Sequence, residues 1–134
     1  MGLIRVGLFE GFKGEDTLLI DVDYDGLHGL IAWLRQVTSS AHEVGLSVCP
    51  DVNVQMGLEV NVLCVAHDAG LLKISERNFV WQRSEEGWME IIDKLEAMRV
   101  GACHQYLDGP RDDVQVVASI GEYGNRWWSR AATG

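Results

Sequence analysis

A chain of 134 residues, 47% of them hydrophobic, fits one compact domain with a core of its own and needs no covalent staples. Its net charge of -9 argues against a nucleic-acid partner, because a field of that sign repels phosphate backbones, and it would steer a basic partner toward the surface. The three cysteines, Cys49, Cys64 and Cys103, are odd in number and form no C-x-x-C pair, so neither a disulfide framework nor a zinc knuckle is expected and a cytoplasmic setting is. No apolar run approaches membrane-spanning length, and Met1-Gly2-Leu3-Ile4, cut short by Arg5, does not read as a signal peptide.

The first predicted element is a strand over residues 3–9, with Ile4, Val6 and Leu8 on one face. A polar, glycine-containing turn at 11–16 connects it to a second strand over 17–24. There Leu18, Ile20 and Val22 alternate with Leu19, Asp21 and Asp23. The apolar period then changes from two to about 3.6, with Leu27, Leu30, Ile31, Leu34 and Val37 forming one face of a helix capped by Asp25. A short strand over 44–48 ends at Pro50, and 51–57 is ambiguous. Residues 58–65 read as a central strand, because both of its faces carry apolar residues.

Strands over 71–75 and 79–82 flank a reversal at Glu76-Arg77-Asn78. Ser84 starts a second helix, with Glu85 and Glu86 in its first turn and Trp88, Ile91, Ile92, Leu95 and Met98 as its buried stripe. Gly101 ends it. A last hairpin pairs 102–107 with 114–120, and a tail carries Glu122, Tyr123, Trp127 and Trp128. The order predicts a single α+β domain over residues 1–134, with a mostly antiparallel sheet and two helices packed on one face.

The chemistry-bearing residues are sparse. Asp21-x-Asp23-x-Asp25-Gly26 matches the first half of an EF-hand loop, but Ala32 stands where the closing glutamate belongs, so the run reads as an acidic contact surface before a calcium site. His28, His42, His67 and His104 show no helical ligand spacing, and Cys103 and His104 would face opposite ways on a strand. No nucleophile elbow or phosphate loop is present, so no catalytic residue, cofactor or metal is expected. Trp127-Trp128, between Arg126 and Arg130, is either cover for the open sheet face or an interface anchor.

Asp21-Val22-Asp23-Tyr24-Asp25-Gly26-Leu27-His28-Gly29-Leu30 resembles the junction between strand and helix in small immunity proteins of bacterial polymorphic toxin systems. Ala102-Cys103-His104-Gln105-Tyr106-Leu107, followed by Val116-Val117-Ala118-Ser119, resembles their closing hairpin. The resemblance covers about half the chain. It implies a cytosolic antidote that binds and occludes a cognate toxin, with no catalytic residues to carry over. The acidic charge agrees with a basic toxin.

Three readings follow. The first is a protein-binding domain whose partner-binding residues are Asp21, Asp23, Glu59 and Glu122 for charge, with Trp127 or Trp128 as anchor. The second is a small-molecule or metal-dependent domain with a pocket near His104, Tyr106 and Glu122. The third is a homodimer joined through a sheet edge.

Overall fold

A computed structural model describes residues 2–12 and 14–133, with side chains as far as residue 129. Among the described residues nine strands and three helices follow one another: β1 (Ile4–Phe12), β2 (Glu15–Val22), α1 (Tyr24–Val37), β3 (Val44–Gly45), a 3-10 turn (Leu46–Val48), β4 (Val52–Val54), β5 (Glu59–Cys64), β6 (Gly70–Ser75), β7 (Asn78–Arg83), α2 (Glu85–Met98), β8 (His104–Tyr106), β9 (Gln115–Ile120) and α3 (Asn125–Thr133). The fold is α+β.

The strands form two sheets where the sequence suggested one, in the orders β4-β1-β2-β9-β8 and β3-β5-β7-β6. Antiparallel pairing holds for β1–β2, β8–β9, β3–β5 and β6–β7. The pairs β1–β4, β2–β9 and β5–β7 are parallel. The sheets meet again at the loop before β9. Arg111 donates its N–H to the Ala69 carbonyl at 2.9 Å, Asp113 donates to Leu71 at 2.8 Å, and the Asp112 and Asp113 carboxylates accept from the N–H groups of Leu71 and Lys73 at 2.8 and 2.7 Å. That loop therefore satisfies the outer edge of β6, which would otherwise be open to association.

One core spans both sheets. Leu18, Ile20, Val116 and Ala118 from the first sheet meet Val60, Val62, Phe79 and Trp81 from the second, together with Leu27, Leu30, Ile31 and Leu34 of α1 and Trp88, Ile91 and Leu95 of α2. α1 and α2 pack against each other. α3 is a third helix that the sequence left as a tail. It covers the opposite face of the first sheet, where Trp128 packs on Leu19 and Val117, the residues that alternate with the core-facing ones.

The cap of α1 is Asp23, not Asp25. Asp23 is extended (φ -93°, ψ 178°), and its carboxylate accepts from Gly26 N–H at 2.6 Å and from Leu3 N–H at 2.9 Å. Asp25 sits in the first turn, where it favours the helix dipole. Gly26 is required there, since a Cβ would run into the Leu3 carbonyl. Asp23→Ala should cost about 2 kcal/mol in a urea melt, at the upper end for a cap, because it removes the acceptor of two N–H groups, one in α1 and one just before β1. Asp23→Asn should cost much less.

Candidate functional site

α2 follows from its residue spacing. Ser84 caps it, with its hydroxyl accepting from Gly87 N–H at 3.0 Å. The stripe Trp88, Ile91, Ile92, Leu95 and Met98 is buried in the core. The same 3.6-residue period leaves Glu85, Glu86, Met89, Glu90 and Asp93 on the outer side, all exposed. Met89 is 58% exposed, a large apolar side chain ringed by carboxylates.

Little positive charge offsets this face. Glu90 pairs with Lys94 at 3.5 Å and with Arg83 at 4.0 Å, and Lys94 also donates to the Tyr106 carbonyl at 2.8 Å. Glu96, one turn further on, is taken up by Arg99 at 3.0 Å and Arg35 at 3.6 Å. Among the described residues Glu85, Glu86 and Asp93 make no ion pair. Met89 and Asp93 form a ridge between two grooves. One, of about 550 Å³, runs along the end of α1 past Arg35, Thr38 and Cys64. The other, of about 470 Å³, runs past Glu86, Glu90 and Gln105. The sequence-based reading missed this face, although the signal was present: once the buried stripe is assigned, four of the five outward positions are acidic.

The six residues expected to bind a partner do not share one surface. Asp21 is 5% exposed and lies beneath α3. Asp23 is engaged as the cap. Glu59 is exposed at the start of β5, in the other sheet. Glu122 is exposed beside His104, Oε1 to Nδ1 3.4 Å. Trp128 is buried, its ring over Gly7, where a Cβ would come within 2.8 Å of the indole. Trp127 is half-buried and meets the Phe9 ring edge-on, centroids 4.9 Å apart. The tryptophans thus sit on a helix, one as cover for the sheet and one at its margin; the side chain of Arg130 lies outside those described. His104, Tyr106 and Glu122 do come together, but the His104 side chain is 49% exposed and its ring is 6.1 Å from that of Tyr106.

Asp21 accepts from the Ser119 hydroxyl at 2.7 Å, across a register that sets the two side by side. Arg5, its partner on β1, reaches over to bond Asn125 of α3. Burial pushes the Asp21 carboxyl above its ordinary value. Ser119, the Trp128 indole, Arg5 and the Glu122 backbone pull the other way. The indole acts there by proximity, since its N–H completes no hydrogen bond among the described residues. A carboxyl raised in the folded state takes up a proton on folding, so this site loses stability as pH rises from the ordinary carboxyl range through the raised value. Asp21→Asn should therefore raise the melting temperature at neutral pH and leave it unchanged or lower at about pH 3, where wild type is also uncharged.

The cysteines are free: Cys49 buried, Cys64 half-buried and Cys103 exposed. Burial, with Asp51 nearby, pushes the Cys49 thiol up to about 11, and burial and then Glu85 push Cys64 upward too, so neither is an activated nucleophile. Among the described residues no group of three or more His, Cys, Asp or Glu side chains is placed to hold a metal, and no helix is long and apolar enough to cross a membrane. No protein-family model, curated protein or solved structure matches the chain.

Proposed function

We propose that the protein is a binding module that docks a basic protein against the outer face of α2. In that role it serves as an immunity-type antidote in the bacterial cytoplasm and occludes a toxin without turning anything over. One observation carries the reading: Met89, exposed and flanked by two grooves, sits inside a ring of Glu85, Glu86, Glu90 and Asp93. An adaptable apolar anchor with a charged rim is the usual anatomy of a protein interface, and the rim's sign selects a basic partner. The net charge of -9 and the resemblance at residues 21–30 support the same reading. Asp21 and Trp128 leave the proposed interface, because both are buried beneath or within α3.

The test is a pull-down from the native host at low salt, followed by surface plasmon resonance against the partner it recovers. Neutralising Glu85, Glu86 and Asp93 together should slow association about tenfold at low salt and flatten its salt dependence. Met89→Ala should speed dissociation about tenfold and leave the melting temperature near that of wild type. An acidic partner, or an unchanged association rate in the triple variant, would overturn the proposal.

A further inference from the structure

β1 outruns its neighbour on one side. Its pairing with β4 stops at Val6↔Val54, whereas its pairing with β2 continues through Phe9↔Thr17. After β4 the chain turns away: Gln55 donates to the Val6 carbonyl at 2.9 Å, and Met56 and Gly57 take φ of 59° and 71°. Among the described residues no strand lies beside β1 past that point. The bonds already made fix where the backbone groups aim. Ile4 N–H donates to Asp51 and Val6 C=O accepts from Gln55, so the N–H and C=O of Leu8, two residues on, aim at the same open side.

This open edge faces a groove of about 530 Å³, not flat solvent. Leu8, Phe9, Met56, Phe79, Val114 and Trp128 line its apolar part, with Phe79, Val114 and Trp128 buried. Lys73, Glu76 and Arg77, from the β6–β7 hairpin, line it across from β1, and Glu10 and Asp16 line it near the β1–β2 turn; all five are exposed.

We propose that this groove receives an extended segment of a partner protein as an added strand, bonded to the backbone of Leu8. The backbone supplies a donor and an acceptor in strand geometry, and only another strand answers both. A second copy of this chain would bring a whole sheet to a groove that residues of the β6–β7 hairpin also line. Along the segment, one side chain turns onto Leu8, Phe79 and Val114, and the next turns toward the rim. Three carboxylates there outnumber two cations, in a chain of net charge -9, so the segment carries lysine or arginine beside its apolar residue. The groove shares no residue with the α2 face and stands or falls separately from it.

The probe is the capped peptide acetyl-Val-Lys-Val-Thr-Val-Lys-amide, titrated into isotope-labelled protein at about 0.5 M salt, which screens exposed charges beyond a few ångströms. Amide shifts should concentrate at Leu8, Glu10, Gln55 and Arg77, and saturation should slow hydrogen exchange at Leu8 about tenfold or more. The same peptide N-methylated at alternate residues should bind about tenfold more weakly in whichever frame blocks the Leu8 bonds. At about 0.1 M salt, where rim charge is felt, Glu10→Lys should weaken binding, and at about 0.5 M salt Glu86→Lys on α2 should leave it unchanged. No shift at Leu8 by roughly millimolar peptide, equal binding of both N-methylated frames, or shifts confined to α2 would overturn the proposal. So would exchange at Leu8 that slows with protein concentration as a dimer forms in sedimentation, because a second copy would then occupy the edge.

Discussion

Trp88→Ala should destabilise the protein by about 4 kcal/mol, a large share of the roughly 5–15 kcal/mol that holds a domain of this size folded. The ring is 1% exposed, packs edge-on against Trp81 with centroids 5.1 Å apart, and donates its indole N–H to the Leu63 carbonyl at 3.2 Å. Truncation therefore removes apolar contact and an aromatic pair, opens a cavity, and orphans a carbonyl on β5. Trp88→Phe separates these effects. It keeps most of the packing and loses the hydrogen bond, so about 1–2 kcal/mol is expected. Trp81 has no hydrogen-bond partner for its own buried indole nitrogen among the described residues, so Trp81→Phe should cost less than Trp88→Phe. The measurement is the urea midpoint at constant slope; a change in slope would mean that the denatured ensemble had changed instead.

Trp88 also marks what the residues made legible. Its place in the buried stripe of α2 follows from period alone, as does the existence of the change from the alternation of β2 to the stripe of α1, although the cap that marks it lies at Asp23, two residues before the expected Asp25. Long, strongly periodic elements carry their own signal. Shorter ones do not: β3 has two residues and β4 three, and the run expected as one strand over 44–48 closes instead with a 3-10 turn. Sheet number was hidden for a different reason. Hairpins announce themselves through their turns, but β2–β9, β1–β4 and β5–β7 join distant segments in parallel, and no local pattern encodes such a partner.

Exposure is the part of the site that alternation left open. Alternation along β2 placed Asp21 on the face away from Ile20 and Val22, and that is where it lies. What alternation cannot say is whether another element covers that face. α3 does, so a carboxylate expected to meet a partner meets Ser119 instead. The adjacent tryptophans are the reason α3 docks, since Trp127 and Trp128 both pack edge-on against Phe9. The acidic outer face of α2 was the converse case. Its first-turn glutamates have a sufficient local explanation in the helix dipole, and that explanation stopped short of Met89, Glu90 and Asp93.

Arg83→Met should cost about 3 kcal/mol, although methionine nearly fills the same space. Arg83 closes β7 and is 2% exposed, and nothing in its neighbourhood of sequence marks it as buried. Its guanidinium donates to both oxygens of Asp68, at 2.7 and 3.1 Å, and to the Asp108 carbonyl at 3.4 Å. Asp68 also accepts from Ser84 N–H at 2.9 Å, which ties this ion pair to the start of α2. Gly87 makes room for it, since a Cβ there would collide with the Asp68 carboxylate. Replacing the cation leaves that carboxylate with the Ser84 N–H but no counter-charge, and takes the Arg83 donor from the carbonyl, so shape alone cannot rescue the site. The Asp68 side chain is 30% exposed, and water takes up part of the loss, which keeps the expected cost at the low end for a broken buried pair. Arg83→Lys should recover only part of it, because an ammonium cannot reproduce the two-pronged contact. The pH dependence identifies the ion pair as the cause. Hydrogen bonding from Arg83 holds the Asp68 carboxyl below its ordinary value, against the opposing effect of burial. A carboxyl lowered by folding stabilises the protein above its unfolded-state value, and that contribution is lost as pH falls through the lowered one. The gap between wild type and Arg83→Met should therefore be widest near neutrality and narrow below about pH 4. A gap that stays constant across that range would assign the loss to packing instead.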